Sequence, residues 1–195
     1  MTDVLNVVAV CGAMHKPSRT ETLLDAIIDE LSVAYPIRPH FVRMSEIGGL
    51  VGCAASRADL DPIVFKDVQA IEAADLLVVA TPVYRGSYTG IFKHLFDFVG
   101  HEALFDVPVL LAASGGSERH NLMIDHQLRP LFSFFQTLTL PIGVYACEGE
   151  FANYRIESAM LTKRIELAVD RALPFLSRKG SRQQASRRQP FLAQL

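Results

Sequence analysis

The sequence predicts an alternating α/β domain, a parallel sheet covered by helices on both faces. Three observations predict it. Continuous apolar runs, such as residues 76–80 (Leu-Leu-Val-Val-Ala) and 107–113, have the length of strands buried on both sides. Stretches whose apolar residues recur every 3.6 positions stand between those runs, giving the order βαβαβαβαβα. Three of the runs end in loops rich in hydroxyls, glycine or cations, and ligands of open α/β sheets sit at strand C-termini.

Composition sets the outer bounds. At 195 residues, half of them hydrophobic, one domain with an ample core is expected. A net charge of −2 argues against a general nucleic-acid binder. Residues 7–10 are apolar, but the run is short and no basic segment precedes it, so no signal peptide is expected. No apolar stretch approaches the length of a membrane span, and no membrane partner is expected. Cys11, Cys53 and Cys147 are odd in number and lack C-x-x-C spacing, which suits free thiols in the cytoplasm.

Residues 4–11 read as the first buried strand, and Leu23, Leu24, Ile27, Ile28 and Leu31 as the apolar stripe of the helix from Thr20 onward. Between them, residues 12–19 offer hydroxyls, His15, Lys16 and Arg19 beside a helix N-terminus with Ser18 or Thr20 as its cap. Unpaired amides and the helix dipole favour an anion there, phosphate included. Neither a Walker loop nor a G-x-G-x-x-G fingerprint is present. Residues 40–44 read as a second strand, 48–62 as a long connection, and 63–74 as a helix leading into the central strand. That strand stops at Pro82, which has no N–H for a ladder; residues 83–87 form a loop, and a helix begins at Thr89 or Gly90.

The run 107–113 ends in Ser114-Gly115-Gly116-Ser117, where two glycines let a flat ligand approach the backbone. Residues 121–135 read as a helix bent at Pro130, 138–147 as a last strand with Pro141 near its start, and 155–176 as a long amphipathic helix. Residues 1–176 are thus the domain, and 177–195 a basic polar tail, flexible or an arm onto a neighbouring subunit. A five-stranded parallel sheet in the flavodoxin-like order 2-1-3-4-5, a three-layer sandwich, brings the loops after strands 1, 3 and 4 to one edge, where flavodoxin holds FMN.

One phosphate site and one flat polar ring site together suit a flavin mononucleotide. The residues that carry a family resemblance are Gly12-x-x-x-x-Pro17-Ser18-Arg19-Thr20; Thr81-Pro82-Val83-Tyr84-Arg85-Gly86-Ser87-Tyr88-Thr89-Gly90 with Lys93 and Asp97; and Gly115-Gly116-Ser117 followed by Asp125, Leu128 and Pro130. On these, over about residues 5–150, the chain resembles the NAD(P)H-dependent FMN reductases. It looks most like the reductase components of two-component alkanesulfonate and methanesulfonate monooxygenase systems. The resemblance implies that Ser18, Arg19 and Thr20 hold the phosphate, Pro82, Val83, Tyr84, Arg85, Gly86 and Ser87 the isoalloxazine, and Ser114, Gly115, Gly116 and Ser117 its other edge. Relatives begin the first loop Gly-Ser-x-Arg, whereas this chain has Gly12-Ala13-Met14-His15. Lys16 or Arg19 is then the substitute cation, with His15 helping only when protonated, so phosphate binding should be modest and pH-dependent.

The resemblance further implies an extra residue near His126, forming a π-bulge at a homo-oligomer interface, dimer or tetramer. It implies hydride transfer from NADPH or NADH to flavin N5, with release of FMNH2 to a partner sulfonate monooxygenase in sulfur metabolism. Such a reaction needs stacking and orientation, so no general acid or base is assigned. Two alternatives use the same loops: a quinone, azo or chromate reductase with prosthetic FMN, and a flavodoxin-type electron carrier. The six His show no metal-binding spacing, and no hydrolase elbow is present.

Overall fold

A computed structural model of the chain describes residues 4–176, so the basic tail lies outside the described residues. The apolar runs became β1 (Leu5–Cys11), β3 (Leu76–Pro82) and β4 (Pro108–Gly115), all parallel, with β2 (Ile37–Arg43) beside β1. Beyond β4 come β5 (Leu138–Thr139) and β6 (Val144–Cys147), both paired to β4. The hydrogen-bonded order is β2-β1-β3-β4-β5, the flavodoxin-like 2-1-3-4-5 arrangement.

Side-chain alternation along the strands divides the core in two. Leu76, Val78 and Ala80 of β3 point to the face covered by α1 (Arg19–Ala34) and α6 (Ala159–Leu176), against Leu23, Leu24 and Ile27. Leu77 and Val79 point to the other face, covered by α2 (Met44–Cys53), α3 (Pro62–Glu72), α4 (Gly90–Asp97) and α5 (Arg129–Phe134). Each of these strand side chains is fully buried, and such burial contributes about 1.5–3 kcal/mol for a Val or Leu. Polar residues enter β3 only at Thr81, where the strand nears its C-terminal end.

Several elements differ from the sequence expectation. The connection 48–62 contains most of α2, whose three glycines mask its helical pattern. Close packing overrides propensity there, for a Cβ on Gly48 would lie 2.7 Å from Met14 Cε. β2 begins at Ile37 rather than His40; it is an edge strand, so it tolerates Pro39 and shows no continuous apolar run.

The single strand expected over 138–147 is split, because Pro141 has no N–H and the chain leaves the ladder after Leu140. The final helix starts at Ala159, after a hairpin of β7 (Phe151–Ala152) and β8 (Arg155–Ile156) whose turn residues Asn153 and Tyr154 have φ of +48° and +60°. The helix expected over 121–135 does carry the π-bulge that the resemblance implies near His126, as a π-helical turn (Ile124–Leu128) running into α5. Pro130 cannot donate to the His126 carbonyl, and the Arg129 amide reaches back to Ile124 O instead.

Candidate active site

The β1–α1 loop ends at Ser18, which caps the 16-residue α1 by accepting from the Glu21 amide at 3.4 Å. The first-turn amides of Arg19 and Thr20 have no acceptor within a helix, so this end of α1 carries the positive end of the dipole. Thr20 Oγ1 meets Ser114 Oγ at 2.6 Å with both residues buried, joining the first loop to the end of β4. Thr89 caps α4 and donates from its hydroxyl to Gly12 O at 3.1 Å, joining the first loop to the second.

After β3, the Val83 amide donates to Ser114 O at 2.8 Å. Tyr84 and Ser87 then exchange backbone bonds of 2.8 and 3.1 Å around Arg85 and Gly86, whose φ values of +53° and +80° make a tight hairpin turn. Ser87 Oγ donates to Gln127 Oε1 at 3.1 Å, so this turn leans on the π-helical segment. Arg85 is exposed at the tip.

The third loop owes its shape to a close approach. A Cβ on Gly115 would lie 2.3 Å from Tyr145 Oη, and that hydroxyl donates to Ser117 O at 2.6 Å. Burial above all, then the neighbouring acidic groups Cys147, Glu118 and Glu150, which act on it once ionised, push the Tyr145 phenol up to about 12. It therefore stays protonated and donating throughout the neutral range.

The three loops line one cavity of about 260 Å³. His15, Ser18, Arg19, Thr20, Pro82, Val83, Tyr84, Ser114, Gly115 and Gly116 line it together, whereas Arg85, Gly86, Ser87 and Ser117 are not part of the lining. Ala13, Met14 and Pro17 also line it, between residues the sequence singles out. Glu148 and Tyr154 complete it from the other end of the chain, and the sequence pattern gives no sign of them. They lie in the 3-10 turn Glu148–Glu150 and the β7–β8 turn, inside the stretch where strand and helix boundaries were misplaced.

The two expected substitute cations have different fates. Lys16 Nζ lies 2.6 Å from Glu46 and 3.4 Å from Glu21 and is not part of the cavity lining. The hydrogen bond to Glu46, more than any other cause, raises its pKa. Arg19 does line the cavity, with Nη2 2.6 Å from Glu148 Oε1 and its guanidinium 5.5 Å from the Tyr154 ring centre.

A separate apolar groove of about 610 Å³ runs between α4 and the π–α5 segment, lined by His126, His101, Phe134 and Tyr88 among others. Among the described residues, no helix is long and apolar enough to cross a membrane.

The family model for NADPH-dependent FMN reductase matches residues 5–151. An NADH-dependent FMN reductase SfnE from Pseudomonas putida is 56% identical over 174 residues, 89% of this chain and 94% of that one. An FMN reductase (NADPH) from Pseudomonas aeruginosa is 53% identical over the same length, again 89% and 94% of the two chains. Among solved structures, an oxidoreductase from Corynebacterium diphtheriae superposes with a TM-score of 0.81 at 30% identity, covering 89% of this chain and 97% of that one. With this fold, these loops and these relatives, the chain belongs to the NADPH-dependent FMN reductase family.

Proposed function

We propose that this NAD(P)H-dependent FMN reductase binds FMN in the cavity between the three loops and releases it reduced to a flavin-dependent sulfonate monooxygenase. The observation that carries the proposal is the meeting, in one cavity, of the α1 N-terminus with the Gly115–Gly116 turn. The residues present fit FMN. Ser18, the Arg19 and Thr20 amides and the Arg19 guanidinium suit a phosphate. Pro82, Val83 and Tyr84 offer a wall for the isoalloxazine, and Gly115 and Gly116 present bare backbone to its polar edge.

FMN held there by the three loops would supply the acceptor for a hydride from NADH or NADPH. The protein's part is placement. The Thr20–Ser114 and Thr89–Gly12 hydrogen bonds fix the loops relative to one another, so the phosphate end and the ring end keep their spacing. Arg85, exposed at the rim, would meet the phosphates of the nicotinamide cofactor. The apolar groove beside His126, with Phe134 exposed next to it, would be covered by a second subunit of a homo-oligomer. Three unpaired cysteines favour a cytoplasmic setting.

The test is NADH and NADPH oxidation by flavin-stripped protein, with FMN varied from below to well above the protein concentration. A rate still rising beyond one FMN per subunit, with free reduced FMN accumulating under anaerobic conditions, is the expected result. Saturation at one FMN per subunit with a need for a quinone or dye would make FMN prosthetic. No oxidation with either nicotinamide would leave an electron carrier.

A further inference from the structure

Glu148 is a cavity-lining carboxylate at the phosphate end of a site meant for an anion. We infer that it is an internal counter-anion: it holds Arg19 when flavin is absent, and the flavin phosphate must displace it. On the reading that the cavity takes FMN, Glu148 thereby sets the affinity low enough for flavin to exchange. Arg19 Nη2 is 2.6 Å from Glu148 Oε1, so the guanidinium is already paired before any ligand arrives.

The turn presenting the carboxylate is anchored and cannot retreat with it. Its neighbour Glu150 accepts from the Cys147 amide at 2.9 Å, from Ser158 Oγ at 3.2 Å and from Arg164 at 3.0 Å. Glu148 also stands near the ring end, since a Cβ on Gly116 would lie 3.7 Å from its Oε2. The charges of Arg19 and Glu148 cancel across the lining, and Lys16 is held elsewhere by Glu46. Phosphate binding then exchanges one ion pair for another.

The pair is half-exposed, with side chains 39% and 56% accessible, so solvent screening keeps its effect moderate. Glu148→Gln should tighten FMN binding about three- to tenfold.

The experiment measures FMN and riboflavin binding by quenching of flavin fluorescence, using wild-type protein, Glu148→Gln, Arg19→Gln and the double variant. Thermal unfolding checks that each folds. The expected result is a gain for FMN in Glu148→Gln, a change of less than about twofold for riboflavin, which lacks the phosphate, and no gain in the Arg19→Gln background. Equal gains for both flavins, a gain that survives loss of Arg19, or no gain at all would overturn the assignment. The underlying site reading fails separately: Arg19→Gln made in the Glu148→Gln background would then leave FMN affinity unchanged, and riboflavin would bind as tightly as FMN.

Discussion

Gly115→Ala probes the tightest approach in the site. The added Cβ would sit 2.3 Å from Tyr145 Oη, 3.3 Å from its Cζ and 3.4 Å from Val83 Cγ2. The backbone at Gly115 does not have the positive φ that alanine resists, so the penalty comes from contact alone. Tyr145 is 8% exposed and bonded to Ser117 O at 2.6 Å, so it cannot step aside freely. Clearing the clash forfeits a hydrogen bond worth about 1 kcal/mol net, on top of an overpacking cost of about 1–3 kcal/mol.

Gly115→Ala should therefore destabilise the protein by about 2–4 kcal/mol, and Tyr145→Phe by about 1 kcal/mol. The double variant has no Oη to strike, and its nearest contact becomes 3.3 Å. It should cost about 1–1.5 kcal/mol, well below the sum, in a urea-unfolding cycle on flavin-free protein. FMN affinity should follow the same order, lost in Gly115→Ala and partly restored in the double variant. Additivity within about 0.5 kcal/mol would refute the idea that the Gly-Gly turn and Tyr145 share one space.

His15→Arg should tighten FMN binding about two- to fivefold with little change for riboflavin, because it places a permanent cation in the cavity lining beside the α1 N-terminus. Equal FMN affinities in the two proteins would remove residue 15 from the phosphate site. Thr20→Val leaves the buried Ser114 hydroxyl without its 2.6 Å partner and should cost about 1–2 kcal/mol, most of it recovered in Thr20→Ser. If Thr20→Ser is as unstable as Thr20→Val in urea, the hydroxyl pair is not what matters.

Glu72 is held below its ordinary value of 4.5, chiefly by hydrogen bonds from Arg57. A depressed carboxylate adds stability above the unfolded-state value and loses it as pH falls through the folded one. The stability gap between wild type and Glu72→Gln should thus be widest near neutrality, begin to narrow as pH falls below 4.5 and close once pH lies under the depressed folded value. A gap independent of pH would count against that pair.

The sequence revealed what buried strands and short-range chemistry dictate. β1, β3 and β4 lie inside the sheet, so both their faces must be apolar and their runs stand out; the loops behind them could then be placed at one edge. β2 and the β5–β6 pair lie toward the margins, where exposure and proline blur the pattern. α2 is hidden for a different reason: two of its three glycines, Gly48 and Gly52, face Met14 and Ile91 of α4, contacts distant in sequence. Glu148 and Tyr154 were illegible on the same ground. Neither has a distinctive neighbourhood in sequence, and each reaches the cavity only because α6 and the β7–β8 hairpin pack back over α1, where Thr22 Oγ1 donates to Tyr154 O at 2.8 Å.

Those two residues bear on whether flavin is substrate or fixture. A site that keeps its cofactor benefits from a cation with no other partner, so that phosphate binding gains a new charge-assisted bond. Here Lys16 is committed to Glu46 and Glu21, and Arg19 to Glu148. Entry of phosphate at Arg19 trades one carboxylate for another anion in water-accessible surroundings, where such a trade nearly cancels. What is left uncompensated is the N-terminus of α1 and the flat contact with the ring. On the proposed function, those contributions would place a flavin without holding it long, as a reductase that surrenders its product requires.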